Sequence, residues 1–286
     1  MRIPGKLYTA AIAARRAVTS VPSRIRGTLL GNRVSAFWHD GERNFGDLLA
    51  PRLLRAYGLT PVYRRAARAE VVLMGSILER VPQDYPGYIL GSGLMCDRVR
   101  HFDRAAFLAV RGEFTRQRTG APGDVALGDP GLLSPRLLAD RPGVSVTLGL
   151  VPHYEDQDDP RIEEYGRRFG ADVAVINVRR KPESVLADIA RCRFVISSSL
   201  HGLVAADALG LSSAWMLLSG KVRGEGFKFR DHYSALGIQP QPLGLAGTEE
   251  LSYLTGLCRN SSGRVAELQE GLDQAFCRFR DAVLSG

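Results

Sequence analysis

The stretch FVISSSLHGLVAADALG, residues 194–210, concentrates groups that handle anions and protons. A run of apolar residues ends in Ser197, Ser198 and Ser199, turns through Leu200, His201 and Gly202, and continues with helical spacing. In open α/β sheets ligands sit outside the carboxyl ends of strands. A helix starting there offers unpaired N–H groups and a positive dipole end, which suits phosphate. An imidazole at that turn can donate to phosphate or carry a proton near neutral pH. The competing account makes the serines helix caps and His201 a packing residue. A second stretch, LSGKVRGEGFKFRDHY (218–233), reads as a glycine-rich loop with Lys221, Arg223, Lys228 and Arg230. Three glycines give it freedom and four cations give it an anionic target, unless it is an ordinary solvated loop.

Three further stretches could carry chemistry. Arg111, in AFLAVRGEFTRQR, closes an apolar run and can fork onto a carboxylate or phosphate. Asn44 and Asp47, in DGERNFGDLLAP, bracket a turn into a helix. Asn44 is either a cap or an acceptor-side contact, and Asp47 can serve as base for a hydroxyl. Asp129, in GDPGLL, fits a simple turn. Other chemistries are absent by pattern. GSGLMC puts Cys96 where a dinucleotide fingerprint needs its third glycine. The SGK at 219–221 lacks the first glycine of a Walker A loop, and no G-x-S-x-G elbow occurs. EDQDDP (155–160) reads as a solvated acidic loop, and no metal or cofactor is signposted.

The elements that must hold these residues alternate. Apolar runs at 34–39, 70–75, 87–93, 106–112 and 124–129 read as strands. Between them, NFGDLLAPRLLRAYG and GEFTRQRTG read as helices. A Pro- and Gly-punctuated stretch ends at Gly143, and the rhythm then repeats. Near-continuous apolar strands alternating with helices predict parallel sheets covered on both faces. The expectation is an α/β protein of two Rossmann-like domains, 34–142 and 143–286, after a basic segment 1–33. Val265, Leu268, Leu272, Phe276, Phe279 and Val283 fall on one stripe, which predicts a C-terminal amphipathic helix.

Charge is unevenly placed. The 286 residues carry a net +8, from 38 Lys and Arg against 30 Asp and Glu. Arg2, Lys6, Arg15, Arg16, Arg24, Arg26 and Arg33 supply +7 of it before residue 40, with no acid among them. The rest is nearly balanced, which argues against a nucleic-acid groove. Leu7, Ala11, Ala14, Val18 and Val21 recur at helical spacing in that leader, so the expectation is peripheral contact with an anionic membrane, the alternatives being a helix packed on the body or a disordered leader. No apolar run is long enough to span a bilayer. Cys96, Cys192, Cys258 and Cys277 lack metal or C-x-x-C spacing and read as free thiols of a cytoplasmic protein.

The chain resembles the polysaccharide pyruvyl transferases. NFGD, GSGL, VRGEFTR, GDPGLL, VPHY, ISSSLHGLVAADALG and KVRGEGFKFRDHYSALG carry the resemblance over about residues 34–237. It implies a GT-B-like pairing of the two domains. It also implies transfer of pyruvate from phosphoenolpyruvate onto two hydroxyls of a sugar, in a polysaccharide or lipid-linked glycan, to form a cyclic ketal. By resemblance Arg111, His201 and Lys221 are the phosphoenolpyruvate set, joined by Ser198, Ser199, Gly202 and Lys228. Asn44 and Asp47 face the acceptor. Phosphoenolpyruvate is the donor substrate and no cofactor is implied. His232 stands where tyrosine is commoner, which leaves its role open. A glycosyltransferase using a nucleotide-sugar, or a non-catalytic carbohydrate-binding protein, is the alternative on the same fold.

Overall fold

The computed structural model describes residues 31–285. The basic leader expected at the membrane falls at residues 1–30, outside the described residues, with only 31–33 inside them. Among the described residues no helix is long and apolar enough to cross a membrane.

Two sheets organise the chain. The first contains β1 (Arg33–Phe37), β2 (Thr60–Tyr63), β3 (Val71–Leu73), β4 (Tyr88–Ser92), β5 (Ala106–Val110) and β6 (Ala126–Leu127), in the order β2-β1-β3-β4-β5-β6. The second contains β7 (Val146–Val151), β8 (Val173–Val175), β9 (Cys192–Ser197), β10 (Ser212–Leu217) and β11 (Leu243–Gly244), in the order β11-β10-β9-β7-β8. Every pairing between named strands is parallel. The strands run apolar because helices cover both faces, so β3 is buried at all three positions. The chain is thus a mixed α/β protein with two parallel sheets, as the alternation predicts.

The helices are α1 (Leu49–Ala56), α2 (Glu113–Thr119), α3 (Pro160–Phe169), α4 (Pro182–Ala190), α5 (Leu200–Ala208), α6 (Phe227–Leu236), α7 (Leu251–Gly256) and α8 (Ser262–Ser285). Local chemistry sets their starts. Asp159 caps α3 by accepting from the Arg161 N–H, with Pro160 in the first turn. Asp129 does the same for a 3-10 segment over Pro130–Leu137. Helix α5 is buried over eight of its nine residues, as a helix sandwiched inside the molecule must be.

Two elements differ from the sequence reading. The strand β2 has only four residues and a proline, too short for a periodic signal. The glycine-rich stretch stops at Gly226, so Lys228 and Arg230 stand on α6 and not on a loop. The apolar residues in FKFRDHYSAL escape notice because charged and aromatic residues dilute the helical pattern, yet eight of the ten are buried.

Helix α8 returns the chain's end to the first sheet, where it packs against β4, β5 and β6. Phe276 stacks on Tyr57 with ring centroids 4.6 Å apart, and Phe279 meets Tyr88 edge-on at 5.3 Å. All four cysteines are free, with Cys192 and Cys258 buried. Phe279 is fully buried, so Phe279→Ala should lower the unfolding free energy by about 3–5 kcal/mol in a urea titration. A change under about 1 kcal/mol would mean that α8 is not part of the cooperative core.

Candidate functional site

The strand order of each sheet reverses once, and a chemically loaded loop follows each strand at the reversal. In the first sheet the reversal lies between β1 and β3. The Asn44–Asp47 turn follows β1, and Met74 and Gly75 follow β3. In the second sheet it lies between β7 and β9, followed respectively by His153 with Asp156 and by Ser197–His201. Such reversals open a crevice at the carboxyl ends of strands, where α/β proteins bind ligands.

The residues meet closely there. Gly46 lies against the imidazole of His201: a Cβ at 46 would fall 2.0 Å from Nδ1. Only glycine fits, which explains the middle of NFGD. Asn44 does not cap α1; its Oδ1 accepts from the Gly46 N–H at 3.2 Å and holds the turn. Met74 and Gly75 both take left-handed backbone, at φ 63° and 80°. For methionine this is strained, and strain of this kind collects at functional sites. Asp47 Oδ1 would lie 3.2 Å from a Cβ at position 75.

His201 Nε2 faces Asp129 Oδ2 at 3.7 Å, too long for a hydrogen bond. Both atoms are buried, and neither has a hydrogen-bond partner among the described residues. Buried polar atoms are ordinarily paired, so this pair is a candidate contact for an ordered water or a ligand atom. Burial lowers the His201 pKa; Asp129 opposes that shift, while Lys228 and Arg111 add to it.

Lys228 and Asp47 share the cluster. Burial lowers the Lys228 pKa to about 8, against the opposing charge of Asp47. Burial raises Asp47 to about 7, with Lys228 pulling it down and Asp129 pushing it up. Both groups therefore change charge close to neutrality, a setting suited to acid–base work. His153 is pushed down to about 3, by burial first and then by Lys228 and His201.

The serine turn is more structural than its composition implies. Ser197 Oγ donates to Val151 O and accepts from the Ser199 N–H. Ser198 Oγ accepts from the His153 N–H at 2.8 Å and donates to Asp156 Oδ2 at 2.7 Å. Ser199 is the α5 cap position without a side-chain cap bond. Gly202 packs on Ser197 Oγ and Val151, and its N–H is held by Ser199 O. These residues knit β7, β9 and α5 together and set the position of His201.

Arg111 lies inside the protein. It is 0 % exposed, and its guanidinium is taken up by the protein. Nε donates to Asp231 Oδ2 at 2.7 Å, Nη1 to Ser76 Oγ at 2.6 Å and Nη2 to Leu94 O. In this arrangement its fork is engaged by the protein, and its charge acts on the site through space, lowering Lys228 and His201. Lys221 is also not gathered in. It is exposed on the loop between β10 and α6, where its charge acts on Asp159. His232 is buried with Nε2 2.8 Å from Asp207 Oδ2, and Asp207 accepts in turn from Ser261. It ties α6 to α5.

The structure thus brings together His201, Asp47, Asn44, Lys228 and Ser198, and adds Asp129, His153 and Asp156. Asp129 was hidden by its own capping role, which is real. His153 and Asp156 sit in a loop whose acids look solvated in sequence. Asp156 is nevertheless buried, joining Ser198 of β9's turn to Ser219 beyond β10.

Two parallel sheets thus meet at their reversal points around a buried Lys, His and Asp cluster. A family model described as polysaccharide pyruvyl transferase matches residues 97–216, so the resemblance in the motifs is borne out over that segment. It includes Arg111, Asp129, His153 and His201. A similar protein from Acanthamoeba polyphaga mimivirus, itself uncharacterised, is 30% identical over 161 residues, covering 53% of this chain and 55% of that protein. The chain thus spans about half the length of the curated relative it matches. A solved structure from Klebsiella pneumoniae subsp. pneumoniae, of uncharacterised function, aligns with a TM-score of 0.44 at 10% identity, over 78% of this chain and 96% of that one.

Two outcomes are expected. Arg111→Ala leaves Asp231 as an unpaired buried carboxylate and should cost about 3–5 kcal/mol of stability, read by urea unfolding. An unchanged midpoint would free Arg111 for a ligand role. The second concerns Asp47. A carboxyl whose folded pKa is raised to about 7 contributes stability below its unfolded value of 3.8 that is lost as pH rises towards 7. The wild-type protein should therefore lose stability relative to Asp47→Asn between pH 4 and 7, with no further divergence above. Parallel curves across that range would show that Asp47 titrates normally.

Proposed function

We propose that the protein is a pyruvyltransferase that moves pyruvate from phosphoenolpyruvate onto two hydroxyls of a sugar in a polysaccharide or lipid-linked glycan. The observation that carries this reading is the His201–Asp129 pair, buried and unpartnered beside Lys228 and Asp47, inside a segment that matches a pyruvyltransferase family model. We read the two sheets, with their loaded strand ends around one site, as a GT-B-like arrangement. Within it, residues 34–142 form the acceptor side and 143–286 the donor side, with α8 as the returning C-terminal helix.

The chemistry follows from residue types. Protonation of the phosphoenolpyruvate methylene makes C2 electrophilic, and His201 supplies that proton. Burial keeps the empty imidazole neutral. The arriving phosphate and carboxylate bring negative charge that favours its protonated form, and Asp129 supports that form from 3.7 Å. Lys228, not Arg111, is the cation within the cluster that holds the donor's charge. One sugar hydroxyl adds to C2 as Asp47 takes its proton. The C2–O bond to phosphate breaks, a second hydroxyl adds to C2, and the ring closes. One hydroxyl proton replaces the proton spent on the methyl group and the other leaves with phosphate, so the balance is phosphoenolpyruvate plus diol to ketal plus phosphate. The scheme runs on side chains alone.

Phosphate release from phosphoenolpyruvate that depends on an acceptor glycan, with the matching mass gain on the glycan, is the expected result. Consumption of a nucleotide-sugar instead would replace this reading with the glycosyltransferase. His201→Gln should lower turnover on the order of a hundredfold or more while the melting temperature holds. Near wild-type turnover would remove His201 from the acid role.

A further inference from the structure

A cavity of about 650 Å³ lies beside the cluster and shares only Ser198 with it. It falls within the ~300–1,000 Å³ typical of small-molecule sites. Its wall contains Trp215 and Phe229, stacked at 4.5 Å and 12°, and its lining includes Leu217, which is 45% exposed. The Trp215 indole N–H is buried with no hydrogen-bond partner among the described residues. Arg223 and Arg230, both exposed, supply positive charge among the lining residues, with Glu225 the sole acid there.

Two observations join this cavity to the chemistry. Ser198 lines it and is held through its hydroxyl to His153 and Asp156. Lys228 immediately precedes Phe229, with its Nζ 5.4 Å from that ring's centre. The loop that closes the cavity is unusual in backbone as well. Gly224, Glu225 and Gly226 take φ of 92°, 46° and 75° in succession. A left-handed glutamate between two left-handed glycines is strained, and such strain persists only where the fold enforces it. It turns the chain so that the guanidinium of Arg230 reaches back to the Glu225 carbonyl at 2.8 Å.

We propose that this cavity, built wholly from the 143–286 half, takes an anionic sugar unit of the acceptor, one that bears a phosphate or carboxylate, so that the glycan reaches across from the hydroxyl-binding 34–142 half. An aromatic wall suits the apolar face of a sugar ring. Two arginines suit its anionic group, which each can grip with parallel N–H bonds. The inference rests on the transferase reading for its biological meaning: the sugar here is the neighbour of the unit that receives pyruvate. Glycan lacking the charge is bound less tightly.

The test reads binding directly, without phosphoenolpyruvate. The protein has two tryptophans, Trp38 and Trp215, so Trp38→Phe leaves Trp215 as the sole indole reporter. Its fluorescence is titrated with α-D-glucose 1-phosphate, glucuronate, glucose, inorganic phosphate and UMP. Glucose 1-phosphate or glucuronate should bind about tenfold or more tightly than glucose and inorganic phosphate, and comparison of the two tells phosphate from carboxylate. Arg223→Ala and the double Arg223→Ala/Arg230→Ala variant should each weaken that binding about tenfold or more, as expected for a lost bond to a charged group. The single variant keeps the Arg230 bond to Glu225, so a loss there reports on the ligand and not on the loop. Equal binding of inorganic phosphate would reduce the cavity to a general anion site. Tighter binding of UMP would make it a nucleotide site, and no binding of either sugar anion would also overturn the proposal. Sugar-anion binding in a protein that never releases phosphate from phosphoenolpyruvate would sink the transferase reading and leave this one standing.

Discussion

The ion pair between Arg111 and Asp231 joins the end of β5 to α6, and most of the site inherits its position from it. Neither side chain is exposed, so the pair is held against a large desolvation cost and must be fully satisfied. It is. Asp231 Oδ2 takes Arg111 Nε and the Thr115 hydroxyl, and Oδ1 takes the Thr115 N–H. Helix α2 begins at a glycine with no side chain to cap it, so an aspartate from the other half of the chain caps it instead. The surrounding glycines follow from this contact. A Cβ at Gly93 would lie 2.4 Å from the Arg111 guanidinium carbon, and one at Gly112 would lie 1.8 Å from Asp231 O. The GSG, R-G and F-R-D fragments, far apart in sequence, are one packing unit.

Because Asp231 is fixed, Lys228 is fixed one helical turn earlier on α6. The constraint therefore passes from a structural pair to a chemical one. Lys228 cannot relax toward solvent, so burial depresses its affinity for a proton. Asp47 answers from the first sheet with the opposite shift. Groups of opposite charge pushed toward each other's range by burial leave the site near charge exchange at neutral pH. The cost of burying Arg111 thus serves the cluster as well: its fixed charge lowers both Lys228 and His201 without occupying the crevice.

The alternation of apolar runs was enough to read two parallel sheets, because strands buried on both faces carry an unmistakable composition. The site was legible where a residue type has few structural uses. His201 at a strand–helix turn and Lys228, read as part of a glycine-rich loop, stand out as candidates in this way, and the structure brings them into one cluster. Arg111 was legible as important but not as to its role, since a buried strut and a ligand fork show the same single arginine in sequence. What separates them is Asp231, 120 residues away, and nothing local announces it. Asp156 failed for the mirror reason. Four acids of one loop look alike, and only the hydroxyls of Ser198 and Ser219 converging on one of them distinguish it.

Asp156 also explains how the second sheet can present two different environments side by side. Its carboxylate ties the turn after β9 to the segment after β10. On one side of that tie lie His153, His201 and Lys228, a polar, mostly closed crevice. On the other lies the open cavity with Trp215, Phe229 and the two arginines. The transfer proposed above, between a small charged donor and a glycan, uses this division. The donor must be shut away from water so that its activated carbon meets only the intended hydroxyl, whereas the acceptor must project outward. A single aspartate, buried and shared between two serines, holds the boundary between the two.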